Sequence, residues 1–208
     1  MHMNDGELDG ARVISAQSAR AMRELHTEAD AFRTWGLGWS RSELGGEAVV
    51  EHSGATNGFT ARLVAVPGRQ SAFAILTNHD KGAAVHNVLA KAALRSFYGL
   101  ESPEHPVTSL PAELLESRAG TYSHGLGDLI LEANEEGYNV QRVHRNPFAG
   151  TEGAGQPFVL RPVSETIFEA TGGGTDGSYA EFILNGDDSV RFLRFGGRLA
   201  YPKPGLER

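Results

Sequence analysis

The chain is 208 residues long, with 40% hydrophobic and 22% charged side chains, 19 basic against 26 acidic groups and a formal net charge of -7. That length accommodates one or two domains, each with a real hydrophobic core. The absence of cysteine excludes disulfides, thiolate zinc sites and a cysteine nucleophile, and an acidic chain without a Lys/Arg run argues against a nucleic-acid partner, so none is expected.

The 26 glycines and 9 prolines fall without a fixed period, so many tight turns and hence many strands are expected. No apolar run approaches the roughly 18 residues of a membrane span, and residues 1–6 lack the charged and apolar regions of an export signal. The chain is therefore expected to be soluble, with no membrane span; its compartment is left open.

Ala16, Ala19, Met22 and Leu25 recur at helical spacing after Ser15, which can cap a first turn, and predict a short helix over 15–25. Trp35-Gly36-Leu37-Gly38-Trp39 alternates bulky residues with glycine, and 47–52, 60–66 and 71–77 are β-branched or alternating runs. They predict an antiparallel meander of three or four strands. Pro67-Gly68 predicts the turn between the last two, Pro pre-setting its φ and Gly accepting a positive φ. The period then changes, and Val85, Val88, Leu89, Ala92, Ala93 and Phe97 share one face of a helix that stops at Gly99. Residues 101–111 carry Pro103, Pro106 and Pro111 with no periodicity and read as a linker.

Beyond the linker, 111–117 predict a short helix, and 138–143, 157–162, 167–170, 179–184, 190–195 and 199–201 read as short strands. Asn185-Gly186 and Gly196-Gly197 are two-residue turn signals between them. Even spacing of short strands predicts a small all-β barrel or sandwich. The expected fold class is α+β: an antiparallel sheet with flanking helices over 1–100, a linker over 101–111, and a β-barrel over 112–208.

Two motifs dissolve on inspection. Gly172 to Gly177 matches G-x-G-x-x-G, but a dinucleotide fingerprint must open a helix, and 178–184 is a period-2 strand. A flexible hairpin loop and no cofactor are expected. His79, Asp80 and His86 are the closest local cluster of metal-type ligands, but their spacing does not resemble a helical ligand pair, so no metal is expected.

One run is sharper: Glu51-His52-Ser53-Gly54-Ala55-Thr56-Asn57-Gly58-Phe59 groups His, Ser, Gly and small residues where a backbone can approach a ligand closely. From the residues alone, a ligand-contacting strand end and a purely structural turn stand as equal alternatives. Ser53 is not in a G-x-S-x-G elbow, because Glu51 stands two places before it.

The order of Trp35–Trp39, His52–Phe59, Val64-Ala65-Val66-Pro67, Phe73–Asn78 and a closing helix resembles the C-terminal part of a serine beta-lactamase or penicillin-binding-protein type hydrolase. That superfamily includes class C beta-lactamases, D-alanyl carboxypeptidases, D-aminopeptidases and related esterases, and the resemblance covers about residues 1–100. Residues 112–201, ending in Arg194-Phe195-Gly196-Gly197-Arg198-Leu199, resemble the lipocalin-like barrel appended to some of these hydrolases.

The resemblance implies hydrolysis of an ester, amide or D-amino-acid peptide through an acyl-enzyme. His52-Ser53-Gly54 would be the third active-site motif: His52 and Ser53 would contact the substrate, Gly54 would leave it room, and the Ala55 backbone N–H would be one of two oxyanion donors. His in place of the motif's Lys is closer to the esterase and aminopeptidase branches. The family's Ser-x-x-Lys nucleophile and Tyr-x-Asn base are absent from this chain. Asn78, Val88 and Ala200 stand three places before Lys81, Lys91 and Lys203, and no tyrosine is followed two places on by asparagine.

The expectation is a C-terminal portion of such a hydrolase, inactive alone. It would take a small-molecule substrate only with a complementary N-terminal polypeptide, and would carry apolar faces that favour homo-oligomers or that partner. The alternative is a non-catalytic, small-ligand-binding or regulatory protein that uses the barrel; an apolar pocket inside the barrel favours it, and a barrel filled by Phe and Leu counts against it.

Overall fold

The computed structural model describes residues 2–79, 82–146, 148 and 150–203. They form two compact units, residues 1–104 and 105–208, each with its own core.

In the first unit a small hairpin, β1 (Glu7–Leu8) with β2 (Ala11–Arg12), precedes α1 (Ala16–Ala21). The Ser15 side chain accepts the Ser18 N–H and caps α1, which is shorter than the apolar spacing predicts, since Leu25 is exposed. The sheet has six strands where the sequence predicts three or four: β3 (Thr27–Glu28), β4 (Thr34–Trp35), β5 (Ser40–Leu44), β6 (Glu47–Thr56), β7 (Phe59–Val66) and β8 (Ser71–Thr77). They lie in sequence order and pair antiparallel. Pro67–Arg69 forms a single 3-10 turn before β8, and Gln70, with φ 48°, takes the left-handed position expected of Gly68.

Both faces of the sheet bury apolar residues, because successive strand side chains alternate sides. Val49, Val64 and Val66 pack with Ala90, Leu94 and Leu100 under α2 (Gly82–Tyr98), while Val50 and Ala65 pack with Trp39, Met3 and Met22 on the opposite face. The buried side of α2 is Gly82, His86, Ala90 and Leu94. This corrects the face expected from periodicity: Val88 is 68% exposed and Phe97 78% exposed, and Val85 and Leu89 are exposed with them. Small residues won the contact because they let the helix approach the sheet; a Cβ at Gly82 would fall 1.9 Å from Thr77 Oγ1.

In the second unit α3 (Ala112–Arg118) leads into nine strands: β9 (Gly120–His124), β10 (Gly127–Asn134), β11 (Gly137–Asn146), β12 (Thr151–Ala154), β13 (Phe158–Pro162), β14 (Ile167–Thr171), β15 (Ser178–Leu184), β16 (Val190–Phe195) and β17 (Arg198–Pro202). Eight of them close an antiparallel barrel in the order β10-β9-β17-β16-β15-β14-β13-β11, sealed by β10–β11 pairing, and β12 pairs with the 143–146 end of β11 on the side that β13 takes at 138–140. β9 and β10 are strands that the sequence reading passes over. Of the expected linker, Leu110 packs on the barrel core and the Thr108 N–H donates to Pro162 O at 2.8 Å.

The barrel interior is filled. Tyr122, Leu129, Leu131, Tyr138, Val140, Phe158, Leu160, Phe168, Phe182 and Leu193 are buried and in mutual contact, with edge-to-face rings at Phe168–Phe182 and Tyr122–Phe182. α3 stoppers one end: Tyr122 and Tyr138 donate to the carbonyls of Arg118 and Leu115, and the Arg118 guanidinium lies 5.6 Å from the Phe182 ring centre. A filled interior counts against the ligand-in-barrel alternative.

The glycine-rich segment is a turn between β14 and β15, opening no helix, and it is pinned where a flexible loop is expected. Gly172 N–H donates to Asp176 Oδ1 and Thr175 Oγ1 donates to Gly172 O, with Thr175 buried.

Candidate functional site

His52, Ser53, Gly54 and Ala55 all lie in the second half of β6 and are exposed. β5 covers only the first half of that strand, its last partners being Ser40 and Glu51, whereas β7 accompanies β6 to the tip at Thr56–Phe59. Residues 52–56 therefore form an edge on the β5 side, and no strand among the described residues pairs with it.

Two hairpins fix which backbone groups face that edge. A two-residue turn makes the flanking pair exchange both hydrogen bonds, and hydrogen-bonded pairs then alternate along the ladder. From the Gly45-Gly46 turn, Glu47, Val49 and Glu51 direct N–H and C=O toward β5. From the Asn57-Gly58 turn, Thr56, Gly54 and His52 direct theirs toward β7. Both registers leave the same result: Ser53 and Ala55 present their N–H and C=O groups to the open edge.

The Ala55 N–H thus faces the open edge. Gly54 has an unremarkable φ, and a Cβ built on it meets nothing within 4 Å. Neither a positive φ nor packing against described residues requires glycine there. His52 points to the opposite face from Ser53, with its ring edge-on to Trp35 at 5.9 Å.

Residues that sequence reasoning missed hold the strand end in place. Arg62, directly across from Ser53, donates to Glu51 Oε2 at 2.6 and 3.0 Å and to Asn87 Oδ1 of α2 at 2.6 Å. Thr60, across from Ala55, has its hydroxyl 2.6 Å from that of Thr77, which lies 3.1 Å from His86 Nε2. These two rows tie β6, β7 and β8 to α2. The one legible signal is the alternation of Thr60, Arg62 and Val64 on the helix-facing side. His86 is spent on this row, His79 stands in the turn before α2, and Asp80 lies outside the described residues. Among the described residues no cluster of three or more His, Asp or Glu is arranged to hold a metal ion.

The first unit is thus a six-stranded antiparallel sheet with a helix closing one face and an interrupted edge at 52–56. Residues 1–96, just under half of the chain, match the Beta-lactamase family. The chain is 35% identical over 132 residues to Penicillin-binding protein 4 of Amycolatopsis lactamdurans, a match covering 59% of this chain and 34% of that protein. Among solved structures it is similar to SurE with D-Leu, at TM-score 0.62 and 21% identity over 93% of this chain and 45% of that one. It is similar to SurE alone at TM-score 0.62 and 22% identity, over 92% and 43%. These two show the likeness of fold. The chain spans about a third of the curated relative and under half of the solved ones.

Proposed function

We propose that residues 1–100 supply the substrate-facing strand edge of an acyl-transferring serine hydrolase, acting on an ester, amide or D-amino-acid peptide, and that this chain alone does not turn over. The observation that carries this reading is the open edge at 52–56, where Ser53 and Ala55 present main-chain hydrogen-bonding groups. In that role the Ala55 N–H stabilises the developing oxyanion. Removing one such donor typically costs roughly 100- to 1,000-fold in rate. His52 and Ser53 contact the substrate, and Gly54 gives it clearance. The acyl-forming serine and its base, absent here as Ser-x-x-Lys and Tyr-x-Asn, come from a second polypeptide segment. Residues 101–111 link this domain to the barrel domain, 112–208.

The exposed apolar residues support a covering partner. Phe59, Leu63 and Leu76 alternate onto the sheet face opposite α2, and Val85, Val88 and Phe97 lie on the outer face of α2. The test assays the purified chain with a chromogenic ester and a cephalosporin, alone and with the remaining part of the Amycolatopsis relative, outside the matched stretch. No turnover alone and turnover on mixing, lost in Gly54→Val, is the expected result. Turnover by the chain alone that disappears in Ser53→Ala overturns the proposal.

A further inference from the structure

Because strand side chains alternate, the buried residues of the barrel wall identify every inward position. Tyr122 on β9, Val140 on β11, Leu160 on β13, Leu193 on β16 and Ala200 on β17 are buried inward. Two residues further toward the end away from α3, the inward positions are His124, Arg142, Phe158, Phe195 and Arg198, and His144 follows Arg142 on β11. Four residues able to carry positive charge thus converge at one mouth of the barrel. No acidic side chain takes an inward strand position there among the described residues.

The floor of that mouth is built. Phe158 and Phe195 stack at 5.1 Å and 13°, and the Arg142 guanidinium lies over both rings, 5.0 and 5.8 Å from their centres. Arg142 has no carboxylate partner among the described residues, and burial pushes its pKa below the usual arginine value. The nearby acids are engaged on the outer surface: Asp128 accepts from Ser123, Arg145 and Lys203, and Glu152 accepts from Arg145. His124 feels this surplus; burial first, then Arg198, Arg145 and His144, hold its pKa below the ordinary histidine range against the opposing pull of Asp128. The His144 ring stands against Gly155, where a Cβ would fall 2.8 Å from its Nε2.

A half-desolvated guanidinium without an anion is costly to keep, and a planar fork pre-oriented on aromatic rings matches a carboxylate bidentately. We propose that this barrel mouth binds the carboxylate of a small organic acid, anchored by Arg142 and flanked by His124, His144 and Arg198. The site lies within the second unit and does not depend on the hydrolase reading of the first.

The experiment titrates the full 208-residue chain with benzoate, and with its neutral isostere benzamide, at constant ionic strength, following the Arg142 side-chain N–H and histidine ring signals by NMR. Saturable shifts with benzoate only are expected, abolished in Arg142→Leu and weakened at least threefold in Arg198→Gln. Arg198 is exposed, so that variant reads out even if Arg142→Leu fails to fold. Arg161→Gln, whose arginine pairs with Glu136 instead, should bind as wild type. Equal shifts with benzamide, no saturation, or unchanged affinity in Arg198→Gln overturns the proposal. Sulfate binding as tightly as benzoate overturns the carboxylate assignment.

Discussion

The Tyr138 hydroxyl donates to the Leu115 carbonyl at 3.0 Å, joining the barrel wall to the helix that closes it. Both residues are buried, so Tyr138→Phe strands a carbonyl away from water at a cost of about 1–3 kcal/mol. Denaturant unfolding of the barrel should show that loss. An unchanged midpoint would mean that the plug is not held by this bond.

Tyr122 makes the matching bond to Arg118 O, and burial pushes its pKa up to about 12, with Tyr138 also raised. A raised acid pKa means that the folded barrel keeps a proton that the unfolded chain releases near its ordinary value of 10.0. The associated stability is complete below pH 10 and is lost as pH climbs from there toward 12. Thermal melts should be flat in this contribution up to pH 10 and fall beyond it, and Tyr122→Phe should flatten the fall.

On α2, Leu94 is buried against the sheet and Val88 is exposed. Leu94→Ala should cost about 2–5 kcal/mol, and Val88→Ala should stay within about 0.5 kcal/mol. Chemical denaturation of both variants measures this; similar losses would put the helix the other way round.

Leu76, 78% exposed, and Val88 lie on opposite sides of the first unit's sheet. Leu76→Lys with Val88→Lys should reduce hydrophobic-dye binding and raise the monomer fraction in light scattering, with little change in unfolding midpoint. A wild-type chain that is monomeric and binds no dye would remove the case for a covering partner.

Gly127 and Gly54 have opposite reasons to be glycine. Gly127, with φ 150°, has Val143 O at 1.9 Å from an added Cβ, whereas Gly54 has open space. Gly127→Ala should destabilise by more than about 2 kcal/mol, and Gly54→Ala by less than about 1 kcal/mol. If Gly54→Ala proved the more damaging in a melt, its role would be structural.

The strand runs at 60–66, 71–77, 179–184 and 190–195 were legible because half-buried strands must alternate, and α2 was legible as a helix for the same kind of reason. Its orientation was not. Periodicity locates an apolar stripe but cannot say which stripe meets the sheet, and here Gly82, His86 and Ala90 fit more closely than Val85 and Val88. β10 escaped notice because Ile130 on the outer face fills the gap between inward Leu129 and Leu131 and hides the period. At the site, the place of 52–55 at the end of one strand before the Asn57-Gly58 turn was readable from residue types. The interrupted pairing that aims Ser53 and Ala55 outward was not, since it depends on where β5 ends.

β9 and β17 are the first and last strands of the barrel and also neighbours in it, and the Lys203 N–H donates to Thr121 O at 2.8 Å. The strand path of the barrel therefore begins and ends side by side. Joining Lys203 to Gly120 and reopening the chain at the Asn185-Gly186 turn would keep every strand beside its neighbours while cutting α3 free of the chain, so such a permuted barrel tests what the plug alone contributes.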